Sequence, residues 1–189
     1  MSTEKSKAQD MVSAGLITVP KSGDSASAGG VYTVTCVGPD GVEKWSDTFH
    51  NLVVNEGLQS MNQTYFKGSG YTAVWYLGLV TGPGASNTYA AGNTLSSHGG
   101  WTENTAYTGS RKTVTFGTAT TADPSVISNS ASPSAFSMTG TATIAGAFLA
   151  TTTDNSGVLF SVGNFTGGDK SVASGDTLNV TYQFSLDAA

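Results

Sequence analysis

Residues 176–186, DTLNVTYQFSL, alternate strictly between apolar and polar side chains. The apolar set is Leu178, Val180, Tyr182, Phe184 and Leu186, and the polar set is Thr177, Asn179, Thr181, Gln183 and Ser185. Successive side chains of a β-strand point to opposite faces, so this period predicts a strand with one buried and one exposed face. A chain that contains such a strand needs a second layer to cover its apolar face.

Further strands are predicted along the chain. VYTVTCV and VEKWSDTF flank GPDG, where Pro39 and Gly41 suit a type I turn, so residues 31–49 predict a β-hairpin. The apolar run YTAVWYLGLV, residues 71–80, predicts a central strand buried on both faces. The segments around Val114, Phe136, Ile144 and Phe160 also predict strands, which brings the number of predicted strands to eight or nine. Strands and helices do not alternate along the chain in the β-α-β order of parallel sheets. We therefore expect an all-β fold, a β-sandwich or jelly roll.

One stretch, residues 52–70, predicts a short helix. Asn55 can cap its start, Glu56 suits the positive end of its dipole, and Leu58, Met61 and Tyr65 recur at helical spacing. An apolar stripe at this spacing is usually packed into a core. We expect the helix to cover one end of the sheets through these three side chains.

The first 30 residues differ in composition from the rest. A charged head precedes the apolar stretch MVSAGLITVP, and the small, glycine-rich spacer KSGDSASAGG follows it. We expect residues 1–30 to form an N-terminal arm outside a sandwich domain of residues 31–189. Two interpretations remain open: a frayed terminus without a role, or an extended segment that binds a neighbouring subunit through Leu16, Ile17 and Val19.

Composition excludes several function classes. Only 11% of residues are charged, against about 25% in ordinary domains, and the net charge is −5, so a nucleic-acid partner is not expected. Cys36 is the only cysteine, so no disulfide framework or Cys-based zinc site is expected, and its alternating position predicts a buried side chain. The polar start MSTEKSKAQD and the lack of a long apolar run predict synthesis in the cytosol without membrane insertion.

The sequence offers little catalytic chemistry. Its two histidines, His50 and His98, fall in no catalytic motif, and no cofactor-binding or calcium-binding pattern is present. We expect no enzyme activity, no cofactor and no metal. The stretch SHGGWTENTAY, with Tyr89 upstream, admits two interpretations: a packed corner at Gly99 and Gly100, or a loop in which Tyr89, His98 and Trp101 bind a ligand such as a sugar.

Five phrases in order carry a family resemblance: FHNLVVNEGLQSM, VWYLGLV, SHGGWTENTAY, IAGAFLAT and SVASGDTLNVTYQFSL. Together they resemble small structural proteins of tailed bacteriophages, described as virion or capsid decoration (cement) proteins. The likeness covers about residues 45–186 and leaves out the arm.

The resemblance implies a non-enzymatic role on the capsid surface of the virion. The expected partners are the major capsid protein and further copies of this chain, as a homotrimer, with no nucleic acid and no membrane. The alternatives are a tail tube, tail tip or fibre subunit, and a carbohydrate-binding adhesin module.

Overall fold

The computed structural model describes residues 26–67 and 74–188. The strands are β1 (Ala26–Val37), β2 (Glu43–His50), β3 (Leu52–Val53), β4 (Trp75–Thr81), β5 (Glu103–Asn104), β6 (Lys112–Val114), β7 (Ser125–Ser128), β8 (Ser134–Ser137), β9 (Ala142–Ala150), β10 (Leu159–Asn164), β11 (Lys170–Val172) and β12 (Thr177–Ala188). The helix α1 (Asn55–Lys67) lies between β3 and β4, and Gly84–Ser86 form a 3₁₀ turn.

The strands form two antiparallel sheets. The first has the order β2-β1-β12-β7, with β8 also paired to β12. The second has the order β3-β10-β9-β4-β5, with β11 paired to β9 and β6 paired to β4. The predicted all-β fold with one short helix is confirmed for the described residues, and two packed sheets are the expected sandwich architecture. A jelly-roll connectivity remains a prediction.

The long pair β1–β12 organises the first sheet. It runs without a break from Ala26 opposite Ala188 to Val37 opposite Thr177. The predicted boundary between arm and domain at residue 30 therefore differs from the structure, because residues 26–30 already belong to β1. Gly30, which the sequence pattern assigned to the spacer, has a packing role: a Cβ at this position would collide with the side chains of Tyr182 and Asn51.

The predicted hairpin of residues 31–49 is confirmed as β1 and β2. Gly41 donates its N–H to the carbonyl of Gly38 over 2.9 Å, and Gly38 donates to the carbonyl of Val42 over 2.8 Å. Gly41 has φ of 80°, a left-handed conformation that glycine adopts without steric cost. This residue choice fixes where the chain reverses.

The main core lies between the two sheets. Tyr32 and Tyr182, paired across β1 and β12, are fully buried with ring centroids 4.7 Å apart. The hydroxyl of Tyr32 lies 2.8 Å from that of Ser161 on the opposite sheet, so this buried polar group is satisfied. Cys36 is also fully buried, as its alternating position predicts, and loss of water around the thiol raises the pKa of Cys36 to about 11.

The second sheet is buried on both faces. Val80 of β4 and Phe148 of β9 point away from the main core and pack against Leu95 and Trp101, which belong to the long connection between β4 and β5. The predicted central strand is thus confirmed as β4, paired on one side to β9 and on the other to β5 and β6. The glycine- and serine-rich connection covers this sheet.

The helix approaches the sheet closely but leaves much of its apolar stripe uncovered. A Cβ at Gly57 would lie only 2.6 Å from the carbonyl oxygen of Phe160, so the helix contacts β10 through this glycine. The carboxylate of Glu56 accepts a hydrogen bond from the N–H of Leu159 over 2.7 Å, and this bond holds the first turn of α1 against β10. The predicted burial of the stripe is wrong for Leu58, 40% exposed, and for Tyr65, 84% exposed. Helical spacing shows which face is apolar and does not show that a neighbour covers it.

Candidate interaction surfaces

Three residues of the predicted ligand loop come together in an aromatic corner, defined as Tyr89, His98 and Trp101. The rings of His98 and Trp101 stack with centroids 4.0 Å apart, and Tyr89 lies 6.2 Å from Trp101. Trp101 also packs on Phe148 at 5.2 Å and is only 3% exposed. A sugar ring stacks on an exposed aromatic face, and the buried ring of Trp101 exposes no such face.

The hydrogen bonds of the aromatic corner are internal. The indole N–H of Trp101 donates to the side-chain oxygen of Asn93 over 3.3 Å, and Nδ1 of His98 lies 3.2 Å from the carbonyl oxygen of Trp101. Tyr89 donates its hydroxyl to Asn164, and burial raises the pKa of Tyr89 to about 12. A Cβ at Gly100 would collide with the backbone of Thr88, which explains the glycine. The geometry is that of a packed corner.

A buried ion pair lies beside the corner, and sequence reasoning did not identify it. The guanidinium of Arg111 donates to both carboxylate oxygens of Glu103, with its shortest bond 2.7 Å long. The same group donates to the carbonyls of Thr152 and Asp154 and to the side-chain oxygen of Asn155. We call these residues the arginine clasp. The arginine clasp joins β5 to the turn between β9 and β10. All of these contacts are internal to the fold and stabilise it.

The described residues supply no assembled metal or membrane site. Across residues 26–67 and 74–188, no three His, Cys, Asp or Glu side chains form a group that could hold a metal ion. In the same part of the chain, no helix has the length and apolar character that a membrane crossing requires.

A small cavity of about 300 Å³ near the 3₁₀ turn contains Asp169, whose carboxylate accepts the N–H of Gly84 over 2.7 Å.

The outer side of the first sheet is a polar, uncharged surface. Because Tyr32, Val34 and Tyr182 face the core, the alternate residues of the same strands face outward. We call this surface the hydroxyl face, and its polar members are Thr33, Thr35, Ser46, Thr48, Ser128, Ser137, Thr177, Asn179, Thr181 and Gln183. None of these side chains is ionisable; Glu43 and His50 lie at the ends of β2, and Asp187 lies near the end of β12, on the rim of the face.

Neighbouring hydroxyls on this face bind one another. Thr33 and Thr48 are paired across β1 and β2 with their hydroxyl oxygens 3.1 Å apart, and Thr35 and Ser46 are paired in the same way at 3.2 Å. Each pair retains a hydrogen bond when water leaves. The cost of removing these four hydroxyl groups from water is therefore lower than for isolated hydroxyl groups.

An apolar groove of about 670 Å³ runs between α1 and the ends of β1 and β12. We call it the helix groove; its apolar lining includes Ala28, Leu58, Met61, Phe66, Trp75 and Leu186. Phe66 is 79% exposed and Leu186 43% exposed. No charged side chain lines the groove among the residues described. It is the second extended surface that the fold presents.

Leu16, Ile17 and Val19, the predicted partner-binding residues of the arm, lie outside the described residues. Their role stays a prediction. Comparison with known proteins found no matching family model, no matching curated protein and no matching solved structure.

Proposed function

We propose that this protein is a non-enzymatic structural protein of a bacteriophage particle, and that it decorates the capsid by binding the shell of major capsid protein through its hydroxyl face. The sequence resemblance suggests the virion role. The observation that carries the choice of surface is the hydroxyl face itself, an outward sheet surface whose ten polar members carry no charge and include two cross-strand hydroxyl pairs, Thr33 with Thr48 and Thr35 with Ser46.

The chemistry of this face suits permanent assembly. Burying an unpaired charge in an interface costs several kcal/mol, whereas paired hydroxyls lose little when water leaves. The face is built on long paired strands, so little conformational entropy is lost when a partner binds. Repeated over many copies on a shell, a contact of modest strength holds each copy in place through its neighbours.

Self-association belongs to the same proposal. Capsid decoration by a homotrimer would place three copies of the hydroxyl face on the shell together, so each copy would raise the effective concentration of the other two. With 8 basic and 13 acidic residues, the chain is not suited to packaging nucleic acid, so we place it on the outside of the shell.

The test is binding of purified protein to capsids that lack it. We expect Thr35→Lys, at the centre of the face, to weaken binding roughly 100-fold or more, because the interface would bury an ammonium group without a partner. Thr113→Lys is the matched control, since Thr113 is an exposed strand threonine on the second sheet. Both variants should melt near the wild-type temperature.

Three results would count against the proposal. Equal binding by the two variants would show that the hydroxyl face is not the contact. Failure of the wild-type protein to bind capsids would remove the decoration role, and binding to isolated tails instead would favour the tail-subunit alternative.

A further inference from the structure

The helix groove concentrates the apolar surface that this fold leaves open. Six large apolar side chains of the described residues are exposed, and four of them line the groove: Leu58, Tyr65, Phe66 and Leu186. An apolar patch rimmed by polar residues usually marks a binding site. A groove with no charged lining suits an uncharged apolar segment.

The chain itself brings such a segment to the groove. Ala26 and Ala28, the first and third residues of β1, both line it, so the preceding 25 residues enter the structure at its edge. Among those residues, the stretch MVSAGLITVP at positions 11–20 is apolar and carries no charge. Aspartate and lysine flank it at Asp10 and Lys21. Like the groove lining, this segment is mostly apolar and uncharged.

The spacer between this segment and β1 allows the chain to fold back. Residues 21–25, KSGDS, are five small or polar residues with one glycine, and they span up to about 17 Å when extended. A linker of this length gives an attached segment an effective concentration in the millimolar range. The segment of the same chain therefore competes well against that of a second copy at ordinary protein concentrations.

We propose that residues 11–20 of the same chain occupy the helix groove in the isolated protein, and that Ile17 and Val19 supply the apolar contacts. In an extended segment, Ile17 and Val19 face one side and Thr18 the other. The inference does not depend on the capsid role, because it concerns the free subunit and a different surface from the hydroxyl face.

Disulfide trapping tests the placement directly. In an Ile17→Cys/Thr64→Cys variant, one new cysteine lies in the groove-facing side of the arm and the other in the lining of the groove. We expect mild oxidation to give an intramolecular disulfide in most molecules, read as a monomer on a non-reducing gel and as a loss of two hydrogens by mass spectrometry. The native Cys36 is fully buried and does not compete.

The control pairs Ile17→Cys with Ser174→Cys. Ser174 is exposed and precedes Gly175, which lies beside Pro39 at the far end of β1. This pair should remain reduced under the same conditions. Disulfide-linked dimers of the groove variant would overturn the proposal in favour of a neighbouring copy, and absence of any cross-link would overturn it outright.

A dye-binding measurement gives an independent readout. Burial of one isoleucine side chain shifts the equilibrium between the bound and the released segment by roughly 10- to 100-fold. Ile17→Asp should therefore release the segment and expose the groove to the apolar dye ANS. Thr18→Asp adds the same charge on the opposite side and should leave dye binding near the wild-type level. Deletion of residues 1–20 should match Ile17→Asp. Equal dye binding by the wild-type and deleted proteins would contradict the proposal.

Discussion

Replacing Arg111 by methionine should destabilise this protein more than any surface substitution, since the arginine clasp buries a charge. The side chain of Arg111 is 3% exposed and that of Glu103 20% exposed. Methionine fills similar volume but donates no hydrogen bonds. Arg111→Met would leave the Glu103 carboxylate without its cation and would remove the guanidinium hydrogen bonds to the carbonyls of Thr152 and Asp154, of which only Asp154 retains a second donor, the hydroxyl of Thr152.

The magnitude follows from the loss of one partner of a buried pair. Such a loss costs about 3–5 kcal/mol in free energy of unfolding. For a chain of this size, each kcal/mol corresponds to about 2–4 °C in melting temperature, so we expect a decrease of roughly 6–20 °C. Arg111→Lys should recover only part of it, because a lysine retains the charge but loses the planar fork that contacts both carboxylate oxygens.

Urea denaturation and calorimetry of a double-mutant cycle provide the assay. Arg111→Met, Glu103→Gln and the double variant are compared, with Lys67→Met as the control at an exposed position, where a change within about 0.5 kcal/mol is expected. The double variant should be more stable than the sum of the single losses predicts. A loss below about 1 kcal/mol for Arg111→Met, or strict additivity in the cycle, would refute the clasp.

Two further predictions concern backbone packing and acid stability. Gly146→Ala should lower the free energy of unfolding by about 1–3 kcal/mol or prevent folding, because its Cβ would collide with the carbonyl of Gly163, whereas Gly140→Ala, with open space around it, should have little effect in the same urea titration. The Lys44 ammonium, 2.7 Å away, and the N–H of Ala173 hold the pKa of Asp176 below its ordinary value. The resulting stabilisation is present above about pH 3.9 and is lost as the pH falls through the lowered pKa. The difference in unfolding free energy between wild type and Asp176→Asn should therefore shrink between pH 7 and pH 2, and a pH-independent difference would contradict the assignment.

The long strands were predictable because their side chains alternate over many residues. β12 and β1 follow from strict period two, and the apolar run around Leu77 and Leu79 indicated a strand covered on both faces. The outward threonines of β12 were visible in the same pattern. That they form one surface with Thr33 and Thr48 depends on strand order and register, which periodicity within one strand does not contain.

The helix and the short strands mark where sequence reasoning stops. α1 was found, but the exposure of Tyr65 was not, since an apolar stripe has the same spacing whether or not a partner covers it. Strands of two or three residues, such as β3 and β5, exist because neighbouring strands position them. The contacts of Arg111 join residues 8 to 44 positions apart, and no local pattern connects them.

Cryo-electron microscopy of particles that carry this chain tests the central claim most directly. Our account predicts density for the two-sheet domain on the outer surface of the capsid, with β1, β2 and β12 turned toward the major capsid protein and the Thr35 side of the sheet buried in the contact. Density confined to the tail, or density on the capsid with the hydroxyl face turned to solvent, would contradict it.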